Sequence, residues 1–453
     1  MLMKLVGSLL LLAFFLTVLP KGAAGQTAAA SPSPAVEQKT GAPQTTEYTL
    51  PPDKLAKSKA LYQLGGKLRI IDTVYGLLVL LGLLYFGIAA KYRDWAEKVS
   101  SKRLVQAVIF VPLLMLTITV LDLPLDAYGH HVGREYGLSV QGWASWFADL
   151  GKGFLVGLVI FILVIWGVTQ AIRKSPRRWW FYTWVVAMPV VVFLVFIAPV
   201  VLDPLFNNFA PLDKSNPQLV DAIEKVVGSA GQSIPRDRIF LMDASKKVTT
   251  LNAYVTGFGP SKRIVIWDTT IKNASTPETL SVVGHEMGHY VLNHIRIGIV
   301  ATAIGLFVGF YLLYVISNWL FSRLKERWYM RELWDWAAVP ILLLIFSVMS
   351  IATEGINNTI SRQLEHNADV YGLEVTHKVA SDPAVAATIY RDVSTREAAA
   401  HAFQILGELS LTYPYPSKAV VFWYYNHPPI SDRVRFAHTY DPWSKGEQPK
   451  YVK

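Results

Sequence analysis

Residues 284–320 read GHEMGHYVLNHIRIGIVATAIGLFVGFYLLYVISNWL. The first six residues hold two histidines, His285 and His289, four apart, with Glu286 beside the first. From Ile297 to Leu320 the same stretch carries no charge and is long enough, as a helix rising ~1.5 Å per residue, to cross a hydrocarbon core of ~30 Å. A metal-ligand pattern therefore runs directly into a membrane-length segment.

Outward from this point lie five more long apolar runs, Ile70–Ala90, Leu104–Leu121, Gly153–Ile172, Trp179–Leu202 and Trp336–Thr353. Only the first contains a charge, Asp72, near its end. Buried helices of a large soluble core are a poor account of six such runs, and 17% charged residues is low for a soluble chain. Residues 1–25 have the order of a secretory signal, Lys4 before the apolar run Leu5–Leu19 and then Ala23, Ala24 and Gly25; a first transmembrane helix is the rival reading. Residues 26–54, rich in Ala, Ser, Thr, Pro and Gln, read as a flexible linker.

The net charge of +10 first suggests a nucleic-acid partner. Its distribution argues otherwise. Lys91, Arg93, Lys98, Lys102 and Arg103 follow the first run; Arg173, Lys174, Arg177 and Arg178 follow the third; Arg323, Lys325, Arg327 and Arg331 follow the fifth. The connection Asp122–Lys152 has only Arg134 and Lys152. The positive-inside rule makes the three basic connections cytoplasmic and the fourth external. Residues 55–202 then form a four-helix membrane region and 297–353 a helical hairpin, so the polar stretches 203–296 and 354–453 emerge together, outside. The first of them has α+β character: helical spacing over Asn216–Ser229, and strands over Arg238–Met242, Asn252–Val255 and Arg263–Trp267. The expected architecture is mainly α, a polytopic membrane bundle with a small α+β metallopeptidase domain.

No cysteine is present, which excludes disulfides, thiolate metal sites and thiol nucleophiles and leaves His, Glu and Asp as metal ligands. With Thr276 as cap, Pro277 at the first helical position and Glu278 in the first turn, a helix sets His285 and His289 one turn apart on one face. Two neutral imidazoles so placed bind one Zn²⁺, and Glu286 beside it is suited to act as general base. A third ligand at 295 is ruled out by Ile295, and the run after it has no carboxylate. Candidates beyond the hairpin are Glu354, Glu365, His366 and Asp369. Glu365 and Asp369 stand four apart, so one can ligate while the other hydrogen-bonds a ligand histidine. Spacing alone prefers Glu365 only modestly.

Four ordered blocks now carry a resemblance: Gly284 to His289; Asn252-Ala253-Tyr254-Val255-Thr256-Gly257 with Arg263 to Thr269; Ser361-Arg362 through Glu365 to Ala368-Asp369; and His427-Pro428-Pro429-Ile430-Ser431-Asp432-Arg433. Together they resemble the type I CAAX prenyl endopeptidases, membrane-embedded zinc metalloproteases of the gluzincin kind. The resemblance implies His285, His289 and Glu365 as zinc ligands, Glu286 as base, and Asp369 as the group orienting a ligand histidine. It implies that Asn252, Ala253 and Tyr254 lie on a strand pairing with a peptide substrate, and that His427 and Arg433 approach the reacting carbonyl. His294 fits the family pattern too and reads as structural. Members have seven spans, so Leu5–Leu19 would have to supply the seventh. The expected partner is a peptide or protein substrate at the lipid bilayer; the resemblance implies C-terminal CAAX processing of a prenylated segment, while the signal-like start points to a host that need not prenylate proteins and so favours general cleavage of membrane or exported proteins. A protease of membrane or exported proteins with no prenyl requirement, and a channel or transporter with structural zinc, are the alternatives. The signal-like start suits a bacterial inner membrane. The loop charges place the catalytic domain outside the cytoplasm, the opposite of eukaryotic relatives.

Overall fold

A computed structural model describes residues 47–257 and 261–453. The signal or span expected over 1–25, and most of the linker expected over 26–54, lie outside those residues. The described end of that linker is packed: Tyr48 and Leu50 are buried, and a helix, α1 (Pro52–Tyr85), already begins at Pro52, where a missing N–H costs nothing.

The apolar run 70–90 is not one helix. Gly87 adopts φ 64°, and a Cβ there would lie 3.0 Å from the Tyr329 ring, so the chain turns at this glycine and restarts as the short α2 (Ile88–Val99). Long helices follow: α3 (Arg103–Glu135), α4 (Trp143–Lys174) and α5 (Trp179–Val201). Much of the connection expected over 122–152 is therefore helix, an extension of α3 and α4 beyond their apolar centres. Later come α8 (His294–Leu324) and α9 (Val339–Ala380). Among the described residues, six helices are long and apolar enough to cross a membrane.

The three basic connections meet at one end of this bundle. Arg93 Nη1 donates to Asp335 Oδ2 at 2.7 Å and to the Tyr329 carbonyl at 2.8 Å. Arg103 Nη2 donates to the Trp334 carbonyl at 2.8 Å, and the Arg103 and Arg173 guanidinium carbons lie 5.2 and 5.1 Å from the Trp334 ring centroid.

The other end carries the polar domain. A four-stranded sheet has the order β1 (Phe209–Pro211), β2 (Ile239–Met242), β4 (Arg263–Trp267), β3 (Ala253–Thr256). β2 and β4 are parallel; the outer pairs are antiparallel. Ile239, Ala253, Val255, Ile264 and Ile266 face a core shared with α6 (Pro217–Ser229), α7 (Thr276–Val291) and α9. β3 is an edge strand. Trp267 N donates to Asn252 O at 3.0 Å, so pairs 252–267 and 254–265 are the hydrogen-bonded ones, and the backbone groups of Ala253 and Val255 point to the open side.

α9 joins the two ends. Its 42 residues extend about 60 Å. The boundary expected at 353/354 falls inside it: the second arm of the hairpin runs on unbroken into the polar domain.

Candidate active site

Helix α7 is set by its first turn. Ser275, one residue before the expected cap Thr276, is the N-cap; it forms a capping box with Glu278, whose carboxylate accepts from Ser275 N at 2.6 Å. Glu278 also bonds His401, on α10 (Thr395–Leu409). Downstream, Gly284 and Gly288 open a face of α7 to α9. A Cβ at Gly284 would come within 2.9 Å of Gly372 O, and one at Gly288 within 3.0 Å of the Ala368 Cα. These glycines cost helix stability of roughly 1 kcal/mol each, and they let the α9 backbone close on the histidines.

That approach gathers the cluster. Ligand atoms of His285, His289 and Glu365 lie within 4.8 Å of one another. His285 Nε2 is 3.1 Å from His289 Nε2, and the two are 3.3 and 3.6 Å from Glu365 oxygens. His285 Nδ1 faces Asp369 Oδ1 at 2.7 Å; a carboxylate only accepts, so the proton of a neutral His285 sits on Nδ1 and the Nε2 lone pair faces inward. Glu365 Oε2 is buried and makes no hydrogen bond. Two imidazole nitrogens and an unsatisfied carboxylate oxygen aimed at one point fit a cation.

Electrostatics follow burial. Burial pushes Glu286 up to about 8, with Glu365 adding and His285 opposing; the Val255 amide bonds its carboxylate. Burial works against a charged His285, yet the hydrogen bond to Asp369 and the Glu365 carboxylate 3.3 Å from Nε2 raise it to about 10. Burial lowers His427, and Arg433 and His285 add to that.

His427 precedes α12 (Ile430–Thr439). Its Nδ1 is engaged by Asn426 Oδ1 at 2.9 Å, and its Nε2 lies 3.3 Å from Glu365 Oε2. Arg433, on α12, differs from the expectation. It forks onto Asp369, Nε to Oδ2 at 2.9 Å and Nη2 to Oδ1 at 2.6 Å, over the Phe403 ring, and its Nη2 also lies 3.4 Å from His285 Nδ1. Tyr254 is not brought to the cluster either. Its side chain is on the opposite face of β3, buried, with the hydroxyl 3.0 Å from Asp203 Oδ2. Asn252 is half-buried at the start of β3, its backbone bonded by Thr270 Oγ1, while Ala253 and Val255 turn their polar groups to the open edge. Of the other third-ligand candidates, Glu354 and His366 are not in the cluster.

His294, which reads as structural in the sequence, touches the site. Asn293 takes φ 59° between α7 and α8, and the chain reverses so that His294 Nδ1 meets His289 Nδ1 at 2.9 Å. The fifth residue after His289 is the only hint that sequence offers, and the turn decides it.

A membrane helical bundle joined to an α+β domain with this cluster defines a membrane-embedded metallopeptidase. Residues 34–208 match the model of the CAAX prenyl protease N-terminal region of five membrane helices, and residues 213–441 match peptidase family M48. The chain belongs to peptidase family M48, among the CAAX prenyl endopeptidases. It is 36% identical over 355 residues to an uncharacterized metalloprotease of Bacillus subtilis (strain 168), covering 78% of both chains. It is 25% identical over 413 residues to CAAX prenyl protease 1 homolog of Arabidopsis thaliana, covering 87% of this chain and 89% of that one. A crystal structure of S. mikatae Ste24p has the same fold, with TM-score 0.72 at 24% identity over 89% of this chain and 93% of that one. The protein is an integral membrane metalloendopeptidase, and the channel or transporter reading is not favoured.

Proposed function

We propose that this protein is a zinc-dependent endopeptidase whose ion is held by His285 Nε2, His289 Nε2 and Glu365. The observation that carries the reading is the convergence of two imidazole nitrogens, 3.1 Å apart, with the unsatisfied Glu365 oxygen. Zinc there supplies Lewis acidity toward a water and the scissile carbonyl. The chain's own residues do the rest. An extended peptide pairs along the open edge of β3, using the backbone of Ala253 and the Val255 carbonyl, with Asn252 at its margin and the Val255 amide held by Glu286. Glu286 takes a proton from the attacking water as its oxygen bonds to the carbonyl carbon, and delivers a proton to the nitrogen as the C–N bond breaks, leaving a carboxylate and an amine. His427 stabilises the developing oxyanion from Nε2 as the imidazolium, the form in which Nε2 donates while Nδ1–H stays on Asn426 Oδ1. Asp369 fixes the His285 tautomer, and Arg433 holds Asp369.

The substrate class proposed is a peptide segment at the bilayer that carries a C-terminal prenyl group, a reading supported by the likeness to a protein named CAAX prenyl protease 1 homolog. Equal kcat/KM for farnesylated and unmodified forms of one peptide would remove the prenyl part of this proposal. The site is proposed to face outward from a bacterial plasma membrane. Two observations support that side: the basic connections gather at the opposite end, and Tyr48 donates to Thr412 O at 2.8 Å, tying the described start of the chain to the peptidase domain. Because the chain has no cysteine, Lys445→Cys creates a unique label. Reaction with a membrane-impermeant maleimide on intact cells is expected; labelling only after lysis would reverse the topology.

The mechanism itself is tested by Glu286→Gln, which should keep one zinc per chain and lose proteolysis by about 10³-fold or more. Unchanged proteolysis would sink it.

A further inference from the structure

We propose that Arg362 and Asn358 are positioning residues for His427, holding from α9 the end of the helix that leads into it. This rests on the assignment of His427 made above.

The short helix α11 (Lys418–Tyr424) has no buried residue, so no core of its own fixes it. A helix C-terminus leaves its last carbonyls without partners. Here α9 supplies them for Trp423 and for the following Tyr425, and it adds a second donor to Val421 O, which also accepts from Tyr425 N at 3.2 Å. Arg362 Nη1 donates to Val421 O at 2.7 Å and to Tyr425 O at 2.5 Å, and Asn358 Nδ2 donates to Trp423 O at 2.6 Å. Arg362 Nη2 is steadied by Thr359 Oγ1 at 2.7 Å. Gly355 completes the seat, since a Cβ there would overlap the Phe422 ring. A cation at a helix C-terminus also complements the macrodipole.

Spacing makes this a functional arrangement. Gly355, Asn358, Arg362, Glu365 and Asp369 stand at alternating steps of three and four, one stripe along α9. The stripe that contributes Glu365 to the cluster thus also grips the carbonyl two residues before His427, whose Nε2 lies 3.3 Å from Glu365 Oε2. Ligand and oxyanion donor are registered on one rigid element. Both carbonyls are reached from Nη1 while Nη2 is held by Thr359, so the planar guanidinium fixes the direction of the donors, which a lysine ammonium on its flexible stem does not.

The test is kcat, KM and zinc content for Arg362→Gln, Arg362→Lys, His427→Gln and the double variant Arg362→Gln/His427→Gln. Arg362→Gln should lower kcat by about 10- to 100-fold, as a displacement near 1 Å does, with KM and zinc within about twofold. Arg362→Lys, which keeps the charge and a donating nitrogen and tests the idea should the glutamine variant fold poorly, should recover part of the loss. The double variant should be no slower than His427→Gln alone. Wild-type kcat in both Arg362 variants, losses that multiply in the double variant, or loss of zinc in Arg362→Lys would overturn the inference while leaving His427 its role. His427→Gln at wild-type kcat would overturn both.

Discussion

Two buried Arg–Asp pairs stand at opposite ends of the molecule and do different work. At the basic end, Arg93 meets Asp335 at 2.7 Å; at the site, Arg433 meets Asp369 at 2.6 Å, and both carboxylates are almost fully covered. Asp335 spends its remaining capacity on backbone amides, accepting from Arg331 N at 3.0 Å and Ala337 N at 3.2 Å. That pair closes on its own connection and locks the turn between α8 and α9. Asp369 Oδ1 is instead shared between Arg433 and His285 Nδ1, and the far nitrogen of that imidazole is 3.1 Å from His289. The chemistry of the pair is the same. What it serves is decided by the third partner: an amide makes it a brace, an imidazole makes it an instrument for aiming a lone pair.

The comparison can be broken in order of expected effect. Asp335→Ala leaves the buried Arg93 with only Asp94 and the Tyr329 carbonyl as partners, which costs about 3 kcal/mol, the low end for a broken buried pair, and should lower the thermal midpoint in detergent, with zinc per folded chain unchanged. A loss of zinc there would erase the distinction. Asp369→Asn should weaken metal binding by about 10- to 100-fold in a competitive chelator titration; full affinity would make this pair a brace as well. His294→Gln removes an imidazole that meets the other ligand histidine and should cost affinity by about 10-fold, the low end of such effects. Arg331→Gln loses exposed pairs with Asp94 and Glu97 and should change stability by no more than about 1 kcal/mol and zinc not at all.

Sequence made the bundle legible because apolar runs are local, and made α7 legible because His285, Glu286 and His289 lie within one and a half turns. The strand Arg263–Trp267 is legible to both ends for the same reason: a dense β-branched run. Reading failed wherever the answer lay across space. Nothing local says that α9 continues through 353/354, since a polar surface begins there while the backbone keeps its helix. Tyr254 alternates with Ala253 along β3, but which face meets α7 depends on the sheet order. Arg433 reads as a surface arginine until Asp369 is brought beside it. His294 depends on the left-handed turn at Asn293, which a single asparagine barely advertises. The shift of the cap from Thr276 to Ser275 is one residue, decided by the reach of Glu278.

The central claim is that one metal ion sits between α7 and α9, with Glu365 as the ligand from beyond the hairpin. Elemental analysis of purified wild-type protein and of Glu365→Gln tests it most directly. The account predicts one zinc per wild-type chain and far less than one in the variant, with proteolysis lost in step. A variant that keeps one zinc per chain and full proteolysis would contradict it.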